Sequence, residues 1–260
     1  MVSIKRHIAN GIERLSGNVV MPADQVHRAP ERVHLRRFFR HFDVDCVFDV
    51  GANTGQYANL LRDEIGFRGP IISFEPIPEI AVQLKIEAAR MGNWHIEAVA
   101  LDREAGPAIF NVMARSTFSS LHQPAEDQPE IFRKMNVVAR EVPVLRSTLA
   151  AELPKWQAKL GFKRPFLKMD TQGNDLAVVE GAGAALAAFV GLQSELTITR
   201  IYEGAVGYAE TIEAYRARGF ELSALVPNTA GHFPRLTEID CIMFRRDALP
   251  AGELPRGEKA

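Results

Sequence analysis

The sequence predicts an α/β fold with a seven-stranded, mostly parallel sheet, an antiparallel last strand and helices on both faces. Short apolar runs alternate with amphipathic helical patterns along the chain, which is typical of a doubly wound parallel sheet. The last two apolar runs follow one another without a helix between them, which indicates an antiparallel return. The chain has 260 residues, 47% of them hydrophobic, so it is long enough for one domain with a sizeable core.

Seven apolar runs are predicted as the strands of this sheet, at 45–50, 71–74, 95–101, 165–169, 191–197, 220–226 and 239–244. Helices are predicted at 56–65, 78–91, 175–186 and 209–218, where apolar residues recur every three or four positions. Pro78 suits the first turn of the second of these helices. Two further sheet-like segments, 108–112 and 141–145, lie in the middle of the chain.

The same patterns divide the chain into an N-terminal helical extension (1–42), a main domain (43–250) and a polar tail (251–260). The basic stretch 34–41 is interpreted as a helix face, with Leu35, Phe38 and Phe39 turned inward. Ile4, Ile8, Ile12 and Leu15 form an apolar face on the extension. That face could pack on its own domain or on a second subunit, so a homo-oligomer stays open.

Composition argues against several classes of function. The formal net charge is −1, so no basic field is present to hold a nucleic-acid partner. No apolar run is long enough to span a membrane, and the N-terminus does not resemble a signal peptide. Cys46 and Cys241 lie in strand-like runs and form neither a disulfide framework nor a metal motif. A reducing, cytoplasmic location is therefore expected.

The segment Gly51–Gln56 joins the first predicted strand to the first helix, where glycine lets the backbone turn sharply and approach a ligand. Its spacing is Gly-x-Asn-x-Gly. A dinucleotide-binding fingerprint requires Gly-x-Gly-x-x-Gly, and a P-loop requires Gly-x4-Gly-Lys-Ser/Thr. Neither pattern is present.

Two acids indicate which ligand the loop binds. Asp49 would repel a pyrophosphate but would favour the amino group of an amino-acid ligand such as S-adenosylmethionine (SAM). Glu75 ends the second strand, where a carboxylate can accept hydrogen bonds from two ribose hydroxyls. SAM is therefore predicted as the cofactor. An NAD-dependent oxidoreductase on the same fold and a non-catalytic SAM-binding protein are the alternatives.

Several segments together resemble the FkbM-type SAM-dependent methyltransferases, which have the Rossmann-like class I methyltransferase fold. They are 48–57 (FDVGANTGQY), 74–76 (FEP), 98–101 (AVAL), 167–175 (LKMDTQGND) and 193–196 (QSEL). The resemblance spans about residues 43–246. The family often has glutamate before the glycine of the Lys-x-Asp-x-x-Gly motif, where this chain has Gln172.

The resemblance implies a set of SAM contacts. Asp49 and the loop would hold the methionine end, Glu75 the ribose, and Ala100 and Leu101 the adenine; Ser119 begins a short serine motif like one that lies near the cofactor in the family. The candidate cofactor-binding residues are Asp49, Gly51, Asn53, Thr54, Gly55, Gln56, Glu75, Pro76, Ala100, Leu101 and Ser119. The acceptors that the resemblance implies are hydroxyl groups of sugars, polysaccharides and natural products.

Four residues are candidates for the base that removes the proton of an acceptor hydroxyl, three of them strong enough to be assigned. Asp170 ends the fourth strand at the carboxyl edge of the sheet, and Glu195 lies among apolar neighbours in the fifth. His232 lies in the loop before the last strand, and His122 has a weaker claim. Asp170 and Glu195 would also suit a divalent metal if they converge, but their spacing does not establish this and no metal is assigned.

Overall fold

The structure is a computed structural model and describes residues 11–12, 22–227 and 234–249. The strands are β1 Cys46–Val50, β2 Ile71–Phe74, β3 Trp94–Glu97, β4 Ala100–Leu101, β5 Gly106–Met113, β6 Val138–Ser147, β7 Pro165–Met169, β8 Gly191–Thr197, β9 Phe220–Val226 and β10 Glu238–Arg245. The α-helices are α1 Ala29–His41, α2 Gln56–Leu60, α3 Pro78–Met91, α4 Leu149–Leu160, α5 Asp175–Glu180 and α6 Tyr208–Ala217.

Seven strands form the main sheet in the order β3-β2-β1-β7-β8-β10-β9. All neighbours are parallel except β10, which runs antiparallel to both β8 and β9. The predicted fold class is thereby confirmed, including the antiparallel last strand. This strand is not the edge strand of the sheet, because it inserts between β8 and β9.

The central strands β1 and β7 are buried along their whole length, so they are covered on both faces. On one face Phe48 packs in a core that includes Trp156 of α4. On the other face Val47 and Phe166 pack against α1 and α2. Asp49 follows Phe48 and therefore points to the α1 side of the sheet.

A second sheet has three strands, in the order β4-β6-β5. Segments 108–112 and 141–145 are strands, as predicted, and they pair antiparallel within the longer β5 and β6. The prediction of one strand over 95–101 is wrong. The chain breaks at Ala98 and Val99, so β3 stays in the main sheet and β4 joins β6 in the second.

Two of the predicted helices are shorter than expected. Helix α2 ends at Leu60 and continues as a wider π-type turn over Leu61–Ile65. Helix α5 ends at Glu180, and a 3-10 segment over Gly183–Ala188 follows. In both cases the apolar periodicity continues past the end of the α-helix, because the next turn buries the same face.

Helix α4 was missed by the sequence analysis. Pro154 lies inside it, which argues against a helix on sequence grounds, but it falls within the first two turns. The side chain of Thr148 accepts a hydrogen bond from the N–H of Ala151 and caps the helix. Leu153 and Trp156 are buried against the main sheet, so this packing stabilises the helix.

Helix α1 confirms the predicted orientation of the basic stretch, since Leu35, Phe38 and Phe39 are buried. Burial of such side chains stabilises the fold by roughly 1.5–3 kcal/mol each. The rest of the predicted extension, apart from Gly11, Ile12 and residues 22–28, lies outside the described residues, as does the predicted tail. Cys46 and Cys241 are free and buried, as predicted. None of the described helices combines the length and apolar composition needed to cross a bilayer.

Candidate active site

The segment Gly51–Gln56 connects β1 to α2 through three residues with positive φ: Gly51 at 80°, Asn53 at 44° and Gly55 at 78°. The N–H groups of Gly51 and Ala52 both donate to the carbonyl of Phe74 at 3.1 Å. A Cβ atom on Gly51 would lie 2.0 Å from the carbonyl oxygen of Asp170. The loop therefore packs closely against the ends of the neighbouring strands β2 and β7.

Gly51→Ala is expected to cost clearly more than 3 kcal/mol in the free energy of unfolding, because backbone strain and a backbone clash add together. Gly66→Ala is the matched control: Gly66 also has φ of 80°, but nothing lies within 4 Å of its added Cβ. That control is expected to cost about 1–2 kcal/mol. Urea denaturation of both variants measures the difference. Equal losses would contradict the close approach of the loop to Asp170.

A row of polar side chains crosses the main sheet on the α1 side. Ser73, Asp49, Lys168 and Gln193 face one another in register on β2, β1, β7 and β8. The hydroxyl of Ser73 donates to Oδ2 of Asp49 at 2.9 Å, and Nζ of Lys168 lies 3.6 Å from Oδ1 of Asp49. This polar row is buried. Its four residues are neighbours in space because their strands are adjacent in the sheet.

Lys168 is the cation of the polar row. Its Nζ also lies 3.5 Å from Oδ2 of Asp170. Burial acts to lower the pKa of Lys168, but Asp170 and Asp49 outweigh it, so the pKa is raised and the side chain stays charged. Burial raises the pKa of Asp49, and the nearby Lys168 and Ser73 oppose that shift. The Asp49 carboxylate is fully buried behind the loop.

Glu75 follows β2 and is anchored by two backbone donors. Its Oε2 accepts from the N–H of Asn53 and its Oε1 from the N–H of Ile77, both at 2.8 Å. Burial raises its pKa to about 7, although these two N–H groups act to lower it. Each oxygen keeps a second lone pair, so the side chain can bind a ligand and hold the Gly51–Gln56 loop at once.

A cavity of about 430 Å³ opens at this edge of the sheet. Eight of the predicted cofactor-binding residues line it: Gly51, Asn53, Gln56, Glu75, Pro76, Ala100, Leu101 and Ser119. Asp49, Thr54 and Gly55 do not; Asp49 lies behind the wall, and Thr54 is exposed. Val99, Phe110 and Leu121 add apolar surface beside Ala100. Phe110 was not predicted as part of the site, because β5 belongs to the second sheet.

The structure brings Asp170 and Glu195 together through Gln172. Nε2 of Gln172 donates to Oδ1 of Asp170 at 2.8 Å and to Oε2 of Glu195 at 2.9 Å. Oε1 of Gln172 accepts from the hydroxyl of Tyr202 at 2.7 Å. Asp170 and Gln172 line the cavity, whereas Glu195 reaches it through Gln172. Burial, together with Glu238 and Asp170, raises the pKa of Glu195 well above its ordinary value.

A second arrangement of the same kind lies farther along the polar row. Nε2 of Gln193 donates to Oε1 of Glu31 at 2.8 Å and to Oδ2 of Asp240 at 2.7 Å. Oε1 of Gln193 accepts from the hydroxyl of Tyr57 at 3.0 Å. This cluster was not predicted from the sequence, although Gln193 lies in a segment that carries the family resemblance.

The two remaining candidates for the base are His232 and His122, and neither is among the described residues that line the cavity. His232 lies outside the described residues. His122 contacts Oδ1 of Asn174 at 3.1 Å through Nε2 and does not line the cavity. Within residues 22–227 and 234–249, no three His, Cys, Asp or Glu side chains are arranged to hold a metal ion.

The comparisons with known proteins give the family. The model of the methyltransferase FkbM domain matches residues 49–222. No curated protein matches the chain. A crystal structure of methyltransferase FkbM from Methylobacillus flagellatus KT has a TM-score of 0.46 at 13% identity, with 77% of this chain and 44% of that chain covered. The chain therefore spans less than half the length of that protein.

Two further solved structures are similar over most of this chain. The O-methyltransferase from Bacillus cereus in complex with S-adenosylhomocysteine (SAH) has a TM-score of 0.47 at 9% identity, with 94% of this chain and 92% of that chain covered. Magnesium protoporphyrin IX methyltransferase from Synechocystis PCC 6803, with bound SAM, has a TM-score of 0.46 at 9% identity, covering 94% and 98%. Because the family model matches well over half of its residues, this chain belongs to the methyltransferase FkbM domain family.

Proposed function

We propose that this SAM-dependent methyltransferase transfers a methyl group to a hydroxyl of a sugar, polysaccharide or natural product. The proposal rests on one cavity that is lined by two different sets of residues. The Gly51–Gln56 loop and Glu75 form one wall, and Asp170 with its Gln172 contact forms another. A methyl donor and a proton acceptor would therefore meet in the same space.

The residues present fit SAM in charge and shape. Glu75 would accept hydrogen bonds from the ribose, and Ala100, Leu101 and Val99 would contact the adenine. Asp49 lies behind the loop, so it would act on the methionine end through the electrostatic field it shares with Lys168 and not by direct contact. Gly51, Asn53 and Gln56 would line the methionine end, with Pro76 and Ser119 beside it.

SAM supplies an electrophilic methyl group on a sulfonium when it is bound. The protein has to orient the acceptor, exclude water and accept the hydroxyl proton. Asp170 is the proposed base because it lines the cavity and its side chain is 42% exposed. Glu195 is the proposed positioning residue, since it accepts a hydrogen bond from the same amide nitrogen of Gln172 and does not itself line the cavity.

Product analysis tests this proposal. The purified protein would be incubated with methyl-labelled SAM and a panel of monosaccharides, oligosaccharides and hydroxylated natural products. An O-methyl group, assigned by NMR of the product, is the expected result. Labelling on nitrogen or carbon would contradict O-methylation. SAH binding without transfer to any member of the panel would favour the non-catalytic alternative.

Gln172→Glu is expected to lower kcat by about tenfold. A glutamate cannot donate the hydrogen bonds that Nε2 of Gln172 gives to Asp170 and Glu195, so the proposed base loses a contact that positions it. Gln157→Glu, at an exposed position on α4, is the control and should leave kcat unchanged. A kcat of Gln172→Glu equal to that of the wild type would contradict a role for Gln172 in positioning the base.

A further inference from the structure

The cavity extends beyond the residues proposed for SAM. Its other end lies under the 3-10 segment Ala23–Arg28 and α1, and His27, Arg28, Glu31, Tyr57, Gln193 and Asp240 line it. These residues come from that 3-10 segment, α1, α2 and the strands β8 and β10. Both strands lie on the opposite side of β7 from β2, which Glu75 follows. Lys168 and Asp170 of the β7 segment separate the two ends. The far end is therefore a chamber next to the proposed base.

Two carboxylates dominate this chamber: Glu31 is buried, and Asp240 is half-buried. Glu31 and Asp240 both receive a hydrogen bond from Nε2 of Gln193, but no basic side chain among the described residues forms an ion pair with either. Burial raises the pKa of both carboxyl groups, and the charge of Glu31 raises the pKa of Asp240 further. Arg28 and Lys168 act to lower the pKa of Glu31, but they do not outweigh burial. Carboxylates removed from water without an ion-pair partner are costly unless a proton or a bound cation compensates them.

The chamber presents hydrogen-bond acceptors to a ligand. The amide nitrogen of Gln193 donates its hydrogen bonds to Glu31 and Asp240, and its oxygen accepts a hydrogen bond from the hydroxyl of Tyr57. Lys168 is directed to Asp49 and Asp170. Free lone pairs remain on the two carboxylates. A ligand group that binds the two carboxylates must donate hydrogen bonds to them. Arg28 also lines the chamber, but one guanidinium does not balance two carboxylates, so a positive charge on the ligand would add to the fit.

We propose that Glu31 and Asp240, held by Gln193, form an acceptor subsite for a protonated amino group, so that the methyl acceptor is an amino sugar. The inference rests on the proposed function and names its substrate class. Strands β7 and β10 are separated only by β8, so their axes lie about 9–10 Å apart. One sugar residue with its exocyclic groups spans that separation and can present a hydroxyl to Asp170.

Matched oligosaccharides test the subsite. Full-length protein saturated with SAH would be titrated by calorimetry, at pH 6, with a chitosan tetrasaccharide and with its fully N-acetylated counterpart. The two probes differ in the amino group. The same titrations on Glu31→Gln and Asp240→Asn remove one carboxylate charge at a time without a change of shape. Glu213→Gln, at an exposed position of α6, is the control.

The chitosan tetrasaccharide is expected to bind at least tenfold more tightly than the N-acetylated one. That advantage should fall to below threefold in Glu31→Gln and Asp240→Asn and persist in Glu213→Gln, while the Kd for SAH stays within about twofold in all three. Equal binding of the two probes, or no binding of either by SAH-saturated protein, would overturn the subsite. Weakened SAH binding in Glu31→Gln or Asp240→Asn would assign the pair to the cofactor instead. Failure of the wild type to bind SAH would instead refute the proposed function.

Discussion

Asp170→Asn is expected to lower kcat for methyl transfer by about 100- to 10,000-fold, the usual contribution of a placed base. Asparagine keeps the size of the side chain and can accept hydrogen bonds from Lys168 and Gln172. It cannot take the proton of the acceptor hydroxyl. Because Asp170 is not proposed to hold SAM, the Kd for SAH should stay within about twofold. Steady-state kinetics on the acceptor found in the panel, with calorimetry of SAH, measures both quantities.

Glu195→Gln is the matched comparison for that variant. Glu195 contacts Gln172 and does not line the cavity, so its loss should lower kcat by only about tenfold, through misplacement of Gln172 and Asp170. A larger loss in Glu195→Gln than in Asp170→Asn would reverse the two proposed roles. Near-normal kcat in both would remove both residues from the mechanism and leave His232 as the remaining strong candidate.

Glu75→Gln is expected to weaken SAH binding about 100-fold at pH 8, since two hydrogen bonds from ribose hydroxyls to a charged carboxylate are lost or weakened. The substitution also places an amide NH₂ near the N–H of Asn53 or Ile77, which disturbs the loop. Glu79→Gln, an exposed position at the start of α3, is the control and should bind SAH like the wild type.

The pH dependence of SAH binding gives a second readout on Glu75. Burial raises its pKa to about 7, so the ionised form that accepts hydrogen bonds from the ribose is gained as the pH rises through 7. Wild-type affinity should therefore increase about tenfold between pH 6 and pH 8, in line with the ionised fraction. The same titrations on Glu75→Gln should lack that increase. An equal pH dependence in the two proteins would separate the ribose contact from Glu75.

The parts of the fold that depend on local pattern were predictable. Ile71–Phe74 and Phe220–Val226 are bounded by turn residues and lie in the structure at the predicted positions. The strand predicted at 95–101 was wrong because an apolar run does not reveal a change of sheet. Helix α4 was missed because its stability comes from burial of Trp156 and its neighbours, and Pro154 masks the pattern.

The candidate site divides in the same way. Gly51, Glu75 and Asp170 lie at strand ends in short motifs, so the sequence points to them directly. The chamber depends on contacts between distant parts of the chain: Glu31 and Gln193 are 162 residues apart, and Gln193 and Asp240 are 47 apart. Their meeting follows from the order of β8 and β10 in the sheet and from the packing of α1, neither of which a local pattern contains.

The most direct measurement is a calorimetric titration of the purified, folded chain with SAH and, separately, with NAD. We expect saturable binding of SAH at one site and no comparable binding of NAD, because the Gly51–Gln56 loop lacks the dinucleotide spacing and has Asp49 behind it. Tighter binding of NAD, or no binding of SAH by protein that unfolds cooperatively, would contradict the claim that this cavity binds SAM.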